Sequence, residues 1–179
     1  GIEDWKPEQR SKININDLLQ MQSGLEWNED YGSRSDVNLM LFDHGDMSSF
    51  AVSKQLEYTP GTHWYYSSGT ANILSQLVRQ EFDSDTSCYA FTQDQLFEKI
   101  GITDAVFEVD ASGDFVGSSY LYATARDYAR FCLLYLNDGV FNGERLFPED
   151  WVDFTRTPAS GSNGKYGALF WLNKDGRYP

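Results

Sequence analysis

Tyr58-Thr59-Pro60-Gly61-Thr62-His63-Trp64-Tyr65-Tyr66-Ser67-Ser68-Gly69-Thr70, continuing through Ala71, Asn72, Ile73 and Leu74 to Phe82, is the stretch on which the fold turns. Pro60 presets one backbone angle and Gly61 supplies the positive φ of a type II turn, so a chain reversal is locally encoded. Beyond it, Ile73, Leu74, Leu77, Val78 and Phe82 recur at helical spacing, with Asn72, Gln76, Arg79 and Gln80 on the opposite side. The spacing predicts an amphipathic helix whose entry carries Tyr66 and Ser68. Polar side chains at a helix entry, on a loop held by packing, are well placed to meet a substrate.

The rest of the chain supports a packed domain around that helix. Its 179 residues suffice for one core, and 5 Trp, 11 Tyr and 12 Phe supply large side chains to fill it. A net charge of −13 would repel phosphate backbones and anionic membrane surfaces, which argues against nucleic-acid and lipid-surface partners. No apolar run approaches a membrane span. Cys88 and Cys132 lack metal-ligand spacing, and Cys132 falls on an apolar helical stripe where a thiol packs as a small hydrophobe. Neither a metal nor a cofactor is implied.

Outward from the central stretch, residues 12–25 read as a short helix, with Asn16-Asp17 as a capping pair and Gly24 as a stop. Residues 26–35 read as a loop. Helical patterning resumes through Val37, Leu39, Met40, Leu41 and Phe42, and Asp46 can cap a further helix through Phe50 and Val52. After a polar link at residues 83–86, Tyr89, Phe91, Leu96, Phe97 and Ile100 suggest a helix ended by Gly101. Ala105, Phe107 and Val109 alternate as in a strand. Thr124 with Asp127 resembles a capping box, and Ala125, Tyr128, Ala129, Cys132, Tyr135 and Leu136 form a regular stripe predicted to face the core. Asn142-Gly143 marks a tight turn between Val140-Phe141 and Arg145-Leu146-Phe147, and Pro148 opens a helix through Trp151 and Phe154. Residues 166–172 read as a buried strand.

As bare residue chemistry, Tyr66-x-Ser68 allows two readings. A phenol can shuttle a proton while the nearby hydroxyl holds an amine or a substrate carbonyl. Equally, a tyrosine can simply pack at a helix entry beside a capping serine. A phenol titrates near pH 10, so a catalytic Tyr66 needs a cation, and the nearest lysines, Lys54 and Lys99, are distant in sequence. His44 and His63 lack helical metal spacing; a Ser-His-Asp reading through His63 finds no G-x-S-x-G elbow beside it. Ser162-Asn163-Gly164-Lys165 matches S-x-x-K, but in a Gly-containing loop that denies it helical geometry, so it reads as accidental.

Taken in order, these segments resemble the serine β-lactamase and penicillin-binding-protein-like hydrolases, on the class C side with esterases and 6-aminohexanoate-dimer hydrolase. Residues 13–25 resemble the family's I-T-I-x-x-L-L-x-x-x-S-G-L segment, Pro60-Gly61 through Tyr66-Ser67-Ser68 its P-G-x-x-x-x-Y-S-N stretch, residues 120–131 its Y-A-T-A-R-D-x-A-R-F helix, and residues 166–172 its Y-G-x-x-W strand entry. The resemblance covers almost the whole chain. It implies a mainly α structure with minor β, the helical subdomain of the α/β β-lactamase/transpeptidase-like fold, with residues 1–179 as a single helix-rich subdomain. It further implies Tyr66 and Ser68 as catalytic residues of a Ser-Lys-Tyr site working through an acyl-enzyme, and Trp64, Ser118 and Ser119 as substrate-binding residues. Ser68 stands where lactamases usually carry Asn, which shifts the expected substrate towards an ester, amide or peptide. Both ends of the sequence read as the interior of a longer protein, so the expectation is an inactive fragment completed by the remainder of a parent hydrolase that supplies the nucleophile and lysine. The resemblance suggests a periplasmic or secreted parent. The competing expectation is a non-catalytic module binding ligand through Trp64, Tyr65 and Tyr66.

Overall fold

The structure, a computed structural model, describes residues 2–6 and 9–177. Helices dominate: α1 (Ile15–Leu19), α2 (Asp36–Asp43), α3 (Met47–Val52), α4 (Ser68–Arg79), α5 (Asp85–Thr92), α6 (Ala125–Leu136) and α7 (Trp151–Arg156). The described strands form two antiparallel pairs of two residues each, β1 (Val106–Phe107) with β2 (Leu121–Tyr122) and β3 (Val140–Phe141) with β4 (Glu144–Arg145). The chain is therefore mainly α with minor β. Among the described residues no helix is long and apolar enough to cross a membrane.

Local signals set most helix starts. Asp46 accepts from Ser49 N at the start of α3, and Thr124 with Asp127 closes a capping box on α6. Asn142 (φ 49°) and Gly143 (φ 83°) are both left-handed, the requirement of the type I′ turn joining β3 to β4. The first helix departs from the sequence reading: Asn14, not Asn16-Asp17, caps α1, boxed with Asp17, and the helix stops at Leu19. Asp17 sits at N3, where its carboxylate reaches back to the Asn14 N–H. Near α7, Pro148 precedes the helix, and the left-handed Asp150 leads directly into it. Residues 166–172 form a turn closed by a single bridge, Tyr166 to Trp171, where a strand was expected.

Helix α4 lies at the centre, packed on α1, α2, α3 and α5. Every residue from Ser68 to Ile73 is buried, Asn72 included, so the first half of the helix has no solvent face. Asn72, predicted to face outward with Gln76, Arg79 and Gln80, is thus buried, and Val78, predicted on the apolar side, is 52% exposed. Leu74, Leu77 and Val78 instead line an apolar groove of about 830 Å³ against Ile13, Ile15 and Leu18, well apart from the entry of α4. The main core gathers Leu18, Trp27, Val37, Met40, Val52 and Ile73. Trp5 Nε1 and Arg10 both donate to Val52 O at 3.0 Å, tying the N-terminal segment to the end of α3.

In α6 the predicted stripe faces outward except at Tyr135, which packs against Phe131, Phe147 and Phe170. Tyr128 is 47% and Leu136 79% exposed, and Cys132 is also exposed, whereas Leu134 is fully buried. The buried side is set instead by Asp127, committed to the cap, and by Leu134 packing with Phe131, Phe141 and Phe147 around Ile100 and Ile102. Cys88, not Cys132, is the buried thiol.

Two glycines permit the close approaches that define the centre. A Cβ on Gly69 would lie 2.6 Å from Trp27 Cζ3 and 3.0 Å from Ala51 Cβ. One on Gly117 would lie 2.2 Å from Ser75 Oγ and 3.0 Å from Ala71 O, so the loop carrying Ser118 passes directly over α4. Gly69→Ala gains about 1 kcal/mol of helix propensity but overpacks a rigid indole at a cost of about 2–3 kcal/mol. The net effect is destabilising, and thermal unfolding should show a lowered Tm.

Candidate active site

Tyr66 emerges from the Pro-Gly turn two residues before α4, and backbone bonds fix its approach. Gly61 N donates to Gln22 O at 2.9 Å and Tyr65 N to Met21 O at 3.0 Å, which lays the segment along the end of α1. Ser67 is then the N-cap of α4, its hydroxyl accepting from Thr70 N at 3.1 Å. Ser68 is the first residue of the helix, not one preceding it.

The Tyr66 ring sits in an aromatic niche. Its centroid lies 5.8 Å from Tyr166, edge-on, and 5.1 Å from Trp171, and Trp64 lies 5.8 Å from Tyr166 and 6.2 Å from Trp171. Tyr166 is buried and Trp171 is 59% exposed, so the niche has a closed floor and an open rim. The turn at residues 166–171 is pinned by Ala168 N to Thr155 O at 3.1 Å and Leu169 N to Leu19 O at 3.0 Å. Among the described residues, the buried Trp64 Nε1 has no hydrogen-bond partner.

Glu29, from the loop at residues 26–35, meets the start of α4 and acts on the Tyr66 phenol through its charge. Its Oε1 accepts from Ser68 Oγ at 2.5 Å and from Tyr31 OH at 3.0 Å; its Oε2 accepts from Ser68 N at 2.9 Å and Trp27 Nε1 at 2.5 Å. Tyr31 OH also lies 3.4 Å from Ser68 Oγ. Ser68 is consequently only 2% exposed, with its hydroxyl proton committed to a carboxylate. Asn72 Nδ2 donates to both Ser68 O and Ser118 Oγ at 3.0 Å, and Ser119 Oγ donates to Ser118 O at 2.8 Å. Thus Ser68 and Ser118 share one network around the start of α4, with Ser119 attached behind it, while Tyr66 and Trp64 pack in the aromatic niche.

Burial and the Glu29 charge push the Tyr66 phenol above its usual value, and the Trp171 indole facing it partly offsets them. Burial and the neighbouring Tyr66 likewise raise Tyr166. Within this chain the phenol is a proton donor at neutral pH, and its use as a base requires a cation. The Ser162 hydroxyl donates to Tyr166 O at 3.1 Å and shapes the turn before the niche, while His63 stacks on Tyr58 at 3.9 Å between ring centroids. Glu29, Tyr31 and Trp171 were not singled out in the sequence as site residues. Trp171 falls inside a family-like segment, but nothing local distinguishes Glu29 from other loop carboxylates.

The β-lactamase family model matches residues 2–178. The chain belongs to the β-lactamase family. Two solved structures share the fold of this family member. One, described as a "putative 6-aminohexanoate-dimer hydrolase from Bacillus anthracis", is 22% identical, with a TM-score of 0.69, over 86% of this chain and 44% of that one. The other, a "putative beta-lactamase from Bacteroides dorei", is 16% identical, with a TM-score of 0.70, over 94% of this chain and 55% of that one. The chain therefore spans about half the length of these structures. No curated protein sequence matches it.

Because the unfolded phenols ionise near pH 10 while Tyr66 and Tyr166 hold their protons to higher pH, the folded state binds more protons in that window. Their contribution to stability is present below about pH 10 and is lost as pH rises towards the folded values. Urea unfolding across that range should show stability declining with pH, with a shallower decline in Tyr166→Phe.

Proposed function

We propose that this chain is the tyrosine-bearing part of a serine hydrolase that acts through an acyl-enzyme, with Tyr66 as its acid–base group. The observation carrying this reading is the position of the Tyr66 phenol. It is held just before a buried helix, against the Trp171 indole in an aromatic niche and within reach of the Glu29 charge. A neutral phenol so placed can protonate a leaving group. A lysine ammonium brought beside it would lower its pKa and let the same oxygen take the proton of a nucleophilic serine. The serine attacks the acyl carbon, the leaving group departs with the proton delivered by Tyr66, and water then cleaves the acyl-serine ester. The nucleophile and lysine come from a part of the parent hydrolase beyond these residues; Ser162, whose hydroxyl is donated to Tyr166 O, is not that nucleophile. The substrate class is an ester, amide or peptide. Ser68 in place of the Asn usual in lactamases disfavours β-lactams.

The 179-residue chain should hydrolyse neither a p-nitrophenyl ester nor nitrocefin above its Tyr66→Phe variant. A fluorophosphonate should leave no serine adduct detectable by mass spectrometry. In a longer protein that supplies the nucleophile, Tyr66→Phe should lower kcat on the ester by about 10²–10⁴-fold. Acylation of any serine in this chain, or full ester turnover by that Phe variant, overturns the proposal.

A further inference from the structure

We propose that Glu29 is the positioning residue of this site, and that Ser68 is the group it grips, not a substrate contact. The inference rests on the reading of Tyr66 as the acid–base group and assigns work to residues around it. A carboxylate offers about four acceptor positions, and Glu29 has four donors on them: Trp27 Nε1, Tyr31 OH, and both the N–H and the hydroxyl of Ser68. It is saturated, so it neither abstracts a substrate proton nor receives a substrate cation without giving up a bond that shapes the site.

Each of those bonds fixes something adjacent to Tyr66. The Ser68 N–H is one of the donors that a helix leaves unpaired at its start, and Glu29 satisfies it from another segment while placing negative charge at the positive end of α4. Ser67 already serves Thr70 N, so the helix start is held by two side chains acting on different amides. The Trp27 indole, anchored through Nε1, is the surface against which Gly69 packs. The Tyr31 hydroxyl closes over Ser68 Oγ at 3.4 Å, completing the burial of Ser68. Tyr66 precedes Ser68 by two residues, and on its other side the Tyr65 N to Met21 O bond holds the backbone. Release of the Glu29 grip frees one of the two ends between which Tyr66 is stretched.

The groups facing the Tyr66 phenol are Glu29, Tyr31, Tyr166 and the Trp171 indole, which makes the phenol's own titration a local reporter. The full chain, with tyrosine rings labelled with ¹³C, can be followed by NMR for Tyr66–Trp171 ring contacts and for the Tyr66 titration midpoint. Glu29→Gln removes the charge and at least two acceptor positions. It should shift the Tyr66 midpoint down and weaken or abolish its contacts to Trp171, while the Tyr128 and Tyr135 signals of α6 stay in place. Ser68→Ala keeps the carboxylate charge but removes the hydroxyl grip, so it should weaken the ring contacts without the downward shift. A folded Glu29→Gln chain with wild-type ring contacts and midpoint overturns the proposal, as does a folded Ser68→Ala chain with undisturbed contacts. Neither readout needs turnover: the expected loss of ring contacts and downward shift, together with a Tyr66→Phe parent of full activity, would overturn the acid–base reading and leave Glu29 as the clamp of the helix entry.

Discussion

Because Trp27 and Ala51 press against α4 where Gly69 has no side chain, the first turn of that helix is enclosed by α3 on one side and the loop at residues 26–35 on another. Enclosure has a polar consequence. A helix start carries unpaired amides, and here it also brings Ser67, Ser68, Thr70 and Asn72 into the interior. Each finds a partner: Ser67 with Thr70 N, Ser68 with Glu29, Thr70 Oγ1 with Ser23 Oγ at 3.3 Å, Asn72 with Ser68 O and Ser118 Oγ. Loss of one partner would strand a buried donor or acceptor at a cost of about 1–3 kcal/mol, so the network resists local rearrangement. Apolar contact brings the elements together, and the polar network then specifies which way Tyr66 leaves the helix.

Support on the opposite side of Tyr66 is less regular. Met21 (φ 58°) and Leu169 (φ 60°) are bulky residues in the left-handed region, a conformation that costs about 1–3 kcal/mol and persists only where the surroundings impose it. Both sit where the niche is built. Met21 packs with Ala71 and Tyr166 and gives its carbonyl to Tyr65 N, while Leu169 N reaches Leu19 O from the turn that carries Trp171. The result is a phenol with aromatic walls, an indole facing it and a carboxylate near enough for its charge to act on it. Burial and the carboxylate keep it protonated, and the indole acts in the opposite sense. Such a group is poised as an acid, and an approaching cation would turn it into a base.

Features encoded by neighbouring residues were legible in the sequence. The Asp46 cap, the Thr124–Asp127 box, the Asn142-Gly143 turn and the presence of a helix after the Pro60-Gly61 turn all follow from residues within a few positions of one another. Helix α6 shows where periodicity stops informing. It carries apolar residues on more than one face, so Tyr128, Cys132 and Leu136 formed as regular a stripe as the one through Leu134 that is buried. Only the position of Ile100, Ile102 and the β3–β4 hairpin decides between them. Asn72 was misplaced for a related reason: a polar residue on an amphipathic helix is assigned to water unless a buried partner, here the Ser68 carbonyl and Ser118, is known.

The candidate site divides along the same line. Tyr66, Trp64 and Ser68 lie within one short segment and could be named from it, whereas Glu29 reaches Ser68 across 39 residues of chain and could not. That contact changes what the Tyr-x-Ser pattern means. An Asn side chain at position 68 would offer two donors and an acceptor, enough to meet a carboxylate and still address a substrate. A serine offers one proton, and Glu29 takes it; the remaining lone pairs are covered by Tyr31 and by burial. On the reading proposed above, the hydroxyl that the resemblance offers as a second catalytic group belongs to the frame around Tyr66, since its proton is already given to Glu29.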